Sequence, residues 1–166
     1  PIAEPPEQFM TDYPQILAFD FGTGRIGIAA GHVLTGTASP LAPLSARDGI
    51  PDWSLLDKVI DEWKPDALVV GIPLNMDGTI SEMARRARKF ANRLHERSKI
   101  PCFLIDERLS TAEAKEIHFA HGGSSDFKKE SVDGIAAQLI VESWFGTDQR
   151  IPSHTRLEDL YDLGNP

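Results

Sequence analysis

One cysteine, Cys102, stands in the whole chain of 166 residues. A lone thiol can form neither an internal disulfide nor a thiolate zinc site. Its setting, Pro101-Cys102-Phe103-Leu104-Ile105, marks a small buried hydrophobe rather than a nucleophile. Long apolar runs are missing too. Nothing approaches the roughly 18 consecutive apolar residues of a membrane span, and no basic-then-apolar signal opens the sequence. These absences predict a soluble protein of the reducing cytoplasm with no membrane partner. Positive charge is also short, with 17 Lys and Arg against 25 Asp and Glu and a net charge of -8. That excludes a protein that coats nucleic acid with its whole surface, because such binding rests on neutralising phosphates.

The charge that is present is segregated. Between Arg85 and Lys99 stand seven basic residues (Arg85, Arg86, Arg88, Lys89, Arg93, Arg97, Lys99) and a single acid, Glu96. The rest of the chain carries 10 basic and 24 acidic residues. A local basic face on an acidic protein is a candidate phosphate contact, while the bland reading is an ordinary solvated helix surface.

The chain divides by pattern into a proline-rich flexible arm (1–15), a core (16–146) and a polar, acidic tail (147–166) whose Leu157, Leu160, Tyr161 and Leu163 suit a short docked helix. Ile16–Phe21 and Arg25–Gly31 form a hairpin around Gly22-Thr23-Gly24, and a third strand is expected over Val33–Thr37, before a loop with Pro40, Pro43 and Asp48-Gly49. From Asp52 the apolar spacing turns helical (Trp53, Leu56, Val59, Ile60, Trp63) and stops before Pro65. Ala67–Ile72 reads as a doubly covered strand. Thr79 with Glu82 has capping-box spacing and opens a helix whose apolar stripe is Met83, Ala87, Phe90, Ala91 and Leu94, with Arg85, Lys89, Arg93 and Arg97 aligned on another face. Pro101–Ile105 is a strand, Ser110 with Glu113 opens a short helix, and Val132, Ala136, Leu139, Ile140 and Trp144 mark a last helix after the polar loop His121–Glu130. The pattern predicts an α/β domain, a mixed five-stranded sheet with helices on both faces.

Three acids stand where chemistry gathers in such sheets. Asp20 ends the first strand, with turn initiation as its alternative role. Asp106-Glu107-Arg108 ends a later strand, where the neighbouring acids can also serve only to solvate the strand end or to pair with Arg108. Asp133 opens the last helix, where a carboxylate also suits the helix dipole. Together Asp20, an acid of the Asp106-Glu107 pair and Asp133 offer hard oxygen ligands to Mg²⁺ or Mn²⁺, the donor set of phosphodiester hydrolysis. His118 and His121, next to a Gly-Ser loop, read as surface. Gly22-x-Gly24-x-x-Gly27 matches the dinucleotide-binding pattern, but strand alternation at Ile26, Ile28 and Ala30 follows it where a helix is required, which rejects that reading.

Five segments in order resemble the motifs of the YqgF/RuvX family: Asp20 to Gly27, Thr37 to Leu41, Gly71 to Thr79, Asp106 to Thr111, and Val132 to Ala137. The resemblance spans about Ile16 to Trp144. It implies an RNase H-like fold and a Mg²⁺- or Mn²⁺-dependent nuclease, acting on structured RNA in maturation of the 5′ end of 16S rRNA, with branched DNA as the second substrate class. It carries the catalytic and metal-binding roles onto Asp20, Glu107 and Asp133, and phosphate contacts onto Arg25, Asn75 and Arg108. Arg85, Lys89 and Arg93 would guide the backbone. Two positions depart from the family: Gly24, where many members have lysine, and Gly134, where serine is common. No acid ends the strand at Gly71-Ile72-Pro73, where related resolvases carry one.

The alternatives are a Holliday junction resolvase-like endonuclease, which needs two sites in a symmetric dimer, and a non-catalytic rRNA-binding assembly factor. The sequence leaves monomer and homodimer open. A sugar-kinase or actin-like ATPase shares the Asp-Phe-Gly-Thr-Gly hairpin, but it needs a second lobe for which this chain has no length.

Overall fold

The computed structural model describes residues 12–77, 79–107 and 132–163, without the side chains of 132, 133 and 161–163. Outside the described residues fall most of the expected N-terminal arm, Arg108, the Ser110–Glu113 helix start, His118, His121 and the 121–130 loop.

Among the described residues the elements are β1 (Gln15–Asp20), β2 (Arg25–His32), β3 (Thr37–Arg47), β4 (Ile50–Pro51), α1 (Trp53–Trp63), β5 (Ala67–Ile72), α2 (Glu82–Ser98), β6 (Cys102–Asp106), α3 (Val132–Phe145), β7 (Ile151–Pro152) and α4 (Leu157–Leu163). The strands form one mixed sheet in the order β4-β3-β2-β1-β5-β6-β7. β1, β5 and β6 run parallel, and the other neighbours are antiparallel.

The sheet therefore has seven strands, not the expected five. β4 and β7 are two-residue strands, too short to leave an alternating pattern. The third strand is also displaced: 33–36 is the turn, and β3 runs through Pro40 and Pro43. Proline interrupts a ladder by lacking an N–H, but β4 pairs only with Ala46 and Arg47, so both prolines lie where β3 has a single neighbour.

Hydrophobic alternation along the strands feeds two cores. One face packs Leu17, Phe19, Leu68, Val70 and Leu104 against Leu56 of α1, against Ala84, Ala87, Phe90, Ala91 and Leu94 of α2, and against Leu157 and Leu160 of α4. The other packs Ile16, Ala18, Val69, Phe103 and Ile105 against Ala137, Ile140, Val141 and Trp144 of α3. Helices thus cover both faces, as expected. Ala84 rather than Met83 begins the buried stripe of α2, because the helix starts later than its capping-box spacing suggests. Ser81 is the N-cap, its Oγ accepting from the N–H of Ala84 at 3.0 Å. Thr79 is taken up in the preceding turn, bonded to Asp77. Cys102 is buried, and desolvation pushes its thiol up to about 12. Among the described residues no helix is long and apolar enough to cross a membrane.

Candidate functional site

Side-chain alternation assigns each acid to a face. On β1, Ile16 and Ala18 lie toward α3 and Leu17 and Phe19 toward α2, so Asp20, the last strand residue, falls on the α3 face. On β6, Cys102 and Leu104 face α2 while Phe103 and Ile105 face α3. Asp106 continues the first set and is buried. Glu107 continues the second.

Glu107 is located more closely by what Gly71 lacks. A Cβ at Gly71 would stand 2.8 Å from Glu107 Oε2, 3.0 Å from its Cγ and 2.6 Å from Ile140 Cδ1. The carboxylate of Glu107 therefore lies over bare backbone at position 71 of β5. Parallel pairing matches Phe19 with Val70, which sets Gly71 level with Asp20 on the adjacent strand. An acid attached to β6, two strands from β1, thus folds back to within about one strand spacing, ~5 Å, of the backbone of Asp20.

Asp133 is the second residue of α3, and its side chain lies outside the described residues. Its backbone position follows from the direction of the helix. Phe145, in the last turn, abuts Gly31, which pairs with Ile16 at the start of β1, whereas Ile140 abuts Gly71 near the end of β5. The helix N-terminus thus points to the end of the sheet at which β1 and β5 finish.

Two expected phosphate contacts lie at that same end. Arg25 opens β2 just across the turn from Asp20 and is exposed. A Cβ on Gly22 would meet the Arg25 carbonyl oxygen at 2.5 Å, so the turn that presents Arg25 requires glycine there. Gly24 looks onto open space, with room for a larger residue. Asn75 is exposed in the loop after β5, where its Nδ2 donates to Thr79 Oγ1 at 2.8 Å. Thr79 donates in turn to Asp77 through its hydroxyl and its N–H, and these bonds hold the Asp77 carboxyl below its ordinary value. Arg108, the third expected contact, lies outside the described residues.

The basic stripe on α2 is divided by its partners. Arg97 makes a bidentate pair with Asp57 of α1 (3.0 and 2.9 Å) and sits 5.4 Å above the Trp53 ring, so it holds two helices together. That pairing raises the pKa of Arg97. Sequence reading counted it with the aligned cations because its partner lies 40 residues away, beyond any helical spacing. Arg86 bonds the carbonyl and carboxylate of Asp48, and Arg88 donates to the carbonyls of His154 and Thr155. Arg85, whose Nη1 donates to the Ile80 carbonyl at 3.2 Å, Lys89 and Arg93 are exposed, and they line a groove of about 320 Å³ with Phe21, Gly49, Ile50 and Phe90. This groove lies on the α2 face, across the sheet rim from Asp20.

The sequence model of the RuvX family, described as Holliday junction resolvase, matches residues 14–147. The chain belongs to the RuvX family. Among its relatives, a protein of Chromohalobacter salexigens named "Putative pre-16S rRNA nuclease" is 57% identical over 140 residues, covering 82% of this chain and 95% of the relative. One of the same name from Pectobacterium carotovorum is 55% identical over 130 residues, covering 78% and 94%. Among solved structures, T. thermophilus RuvC in complex with a Holliday junction substrate superposes with a TM-score of 0.52 at 12% identity, covering 83% of this chain and 98% of that one. This last likeness shows a fold shared with that protein.

The donor chemistry at that end suits a hard divalent cation, since carboxylate oxygens are the ligands Mg²⁺ and Mn²⁺ prefer. Among the described residues no group of three His, Cys, Asp or Glu is assembled for a metal. Two carboxylates share the face, and Gly71 leaves the space in which the second is held.

Proposed function

We propose that this chain is a metal-dependent nuclease that hydrolyses phosphodiester bonds in maturation of the 5′ end of pre-16S rRNA, in the cytoplasm. The observation that carries the reading is the Glu107 carboxylate laid over Gly71, level with Asp20 and on its face of the sheet. The name shared by relatives at 55–57% identity supports pre-16S rRNA as the substrate.

Asp20, Glu107 and Asp133 are the proposed ligands of Mg²⁺ or Mn²⁺. A bound ion would supply Lewis acidity, lowering the pKa of an attacking water and stabilising the leaving oxygen, so the chain would need no nucleophile of its own. Its residues position the substrate instead. Arg25, at the end of the β1–β2 turn, and Asn75, in the loop after β5, would contact the scissile phosphate, and Arg108 would add a third contact. Arg85, Lys89 and Arg93 hold the backbone farther along.

The test is cleavage of an end-labelled RNA carrying the 16S 5′ leader, beside a four-way DNA junction, by wild type and Asp20→Asn. RNA cleavage that needs Mg²⁺ or Mn²⁺ and Asp20 is expected, with RNA binding retained in the variant. Symmetric cutting of the junction alone would establish the resolvase instead, a reading favoured by the family's description. Failure on both with binding intact would leave an rRNA-binding assembly factor.

A further inference from the structure

The groove on the α2 face has a construction that phosphate guidance alone does not require. Its floor is apolar: Phe21 leans on Phe90 with ring centroids 5.4 Å apart, Trp53 stacks on Phe90 from the side at 6.0 Å, and Ile50, 52% exposed, stands at the edge. One wall is the cationic row Arg85, Lys89 and Arg93. The opposite wall is the tight turn between β3 and β4, with Asp48 at φ 51° and Gly49 at φ 83°. Arg86 clamps that turn to α2 through Asp48, and a Cβ on Gly49 would stand 2.8 Å from the Phe21 ring. Asp48 and Glu82 are the acids of the groove, and the first is matched by Arg86. The excess charge is positive, on a chain whose net charge is -8.

We infer that this groove seats a single-stranded stretch of the RNA substrate, its phosphates along Arg85, Lys89 and Arg93 and a base laid on Phe21 and Ile50. The inference rests on the nuclease reading and adds the substrate's form to it. A paired base presents only its edges, because stacking hides its faces, so a duplex can use the cations but not the apolar floor. An unpaired nucleotide uses both, the combination by which single strands are bound. The volume, about 320 Å³, is that of a small-ligand pocket and admits a nucleotide rather than a helix. Phe21 follows Asp20 directly in the chain and is turned to the other side of the sheet. The strand would therefore cross the rim at the β1–β2 turn, which makes an unpaired segment next to the scissile phosphate a requirement of cleavage.

The experiment measures binding of a fluorescent ten-nucleotide RNA, single-stranded or annealed to its complement, in EDTA so that no chemistry intervenes. Wild type is compared with Ile50→Asp and with Lys89→Gln/Arg93→Gln, all at exposed positions, with folding checked by circular dichroism. Tighter binding of the single strand is expected; Ile50→Asp should weaken it about tenfold while weakening the duplex less than threefold, and Lys89→Gln/Arg93→Gln, which removes cations that both forms can use, should weaken both. Equal loss on both forms in Ile50→Asp, or no loss of single-strand binding in either variant, would overturn the seat. Mn²⁺-dependent hydrolysis of bis(p-nitrophenyl) phosphate by wild type and Asp20→Asn is run alongside. That small diester needs no groove, so its outcome judges the carboxylate site alone.

Discussion

Replacing Gly71 by Ala tests the placement of Glu107 without touching any acid. The added methyl would stand 2.6 Å from Ile140 Cδ1 and 2.8 Å from Glu107 Oε2, both inside contact distance. Each opposing atom ends a flexible side chain, so the fold survives with an overpacking cost of about 1–3 kcal/mol. For a chain of this size the melting midpoint falls about 2–4 °C per kcal/mol. Activity should fall further. Glu107 must swing away from its place over β5, and displacing a reacting group by about 1 Å can cost on the order of a hundredfold in rate. Urea midpoints and Mn²⁺-dependent hydrolysis read the two effects separately. Adding Ile140→Val removes the Cδ1 that the methyl strikes, so the double variant should recover stability relative to Gly71→Ala while staying slow. If Gly71→Ala hydrolyses substrate at the wild-type rate, or if the double variant regains activity along with stability, the carboxylate over position 71 is not the catalytic arrangement.

Replacing Arg85, Lys89 and Arg93 together by Ala should weaken RNA binding and flatten its dependence on log salt by about 2, at roughly 0.7 for each phosphate left without its cation; an unchanged slope would demote the row to a solvated surface. Ser81→Ala should cost about 1 kcal/mol in urea unfolding through loss of the α2 cap, a cost that Thr79→Ala should not reproduce. Cys102, with its thiol raised to about 12, keeps its proton in the folded chain while the unfolded chain loses it near 9. Its contribution is therefore full below pH 9 and is lost as pH rises to about 12, at up to about 1.4 kcal/mol per pH unit. Cys102→Ala should flatten that part of the stability profile, and an identical profile in the variant would refute the assignment.

Helices were legible wherever an apolar stripe alone decides them, as in α1, where Asp52 caps the start and Lys64 in the left-handed region ends it before Pro65. The start of α2 was misread because Thr79 and Ser81 are both competent caps, and only the Asp77 turn, which takes Thr79, chooses between them. Pro40 and Pro43 argued for a loop, since local sequence does not say that β3 lacks a second neighbour there. Asp20 stood out as an acid closing an apolar strand, whereas Asp106 and Glu107 stood out only as a pair, from which the family resemblance chose Glu107. The role of Gly71 did not stand out, because the meaning of a missing side chain depends on which residue of β6 folds back over it. Arg97 misled for the same reason: helical spacing groups it with Arg93, and tertiary structure gives it to Asp57.

Strand alternation explains why one short stretch serves two surfaces. At the end of β1, Asp20 turns to the α3 face and Phe21 reaches the floor of the α2 groove. At the end of β6, Asp106 is buried on the α2 side while Glu107 folds over Gly71 on the other. Each neighbouring pair splits across a sheet only one backbone thick, so the acids and the cationic groove stay close without sharing a face. That separation has an electrostatic reason. Asp20 and Glu107 would be drawn into ion pairs by Arg85, Lys89 and Arg93 if all lined one cleft, which would offset the negative charge a cation needs to bind. On the proposed nuclease reading, carboxylates and cations kept on opposite faces of one sheet end leave the first free for a metal and the second for phosphate, and a strand that crosses the rim would meet both.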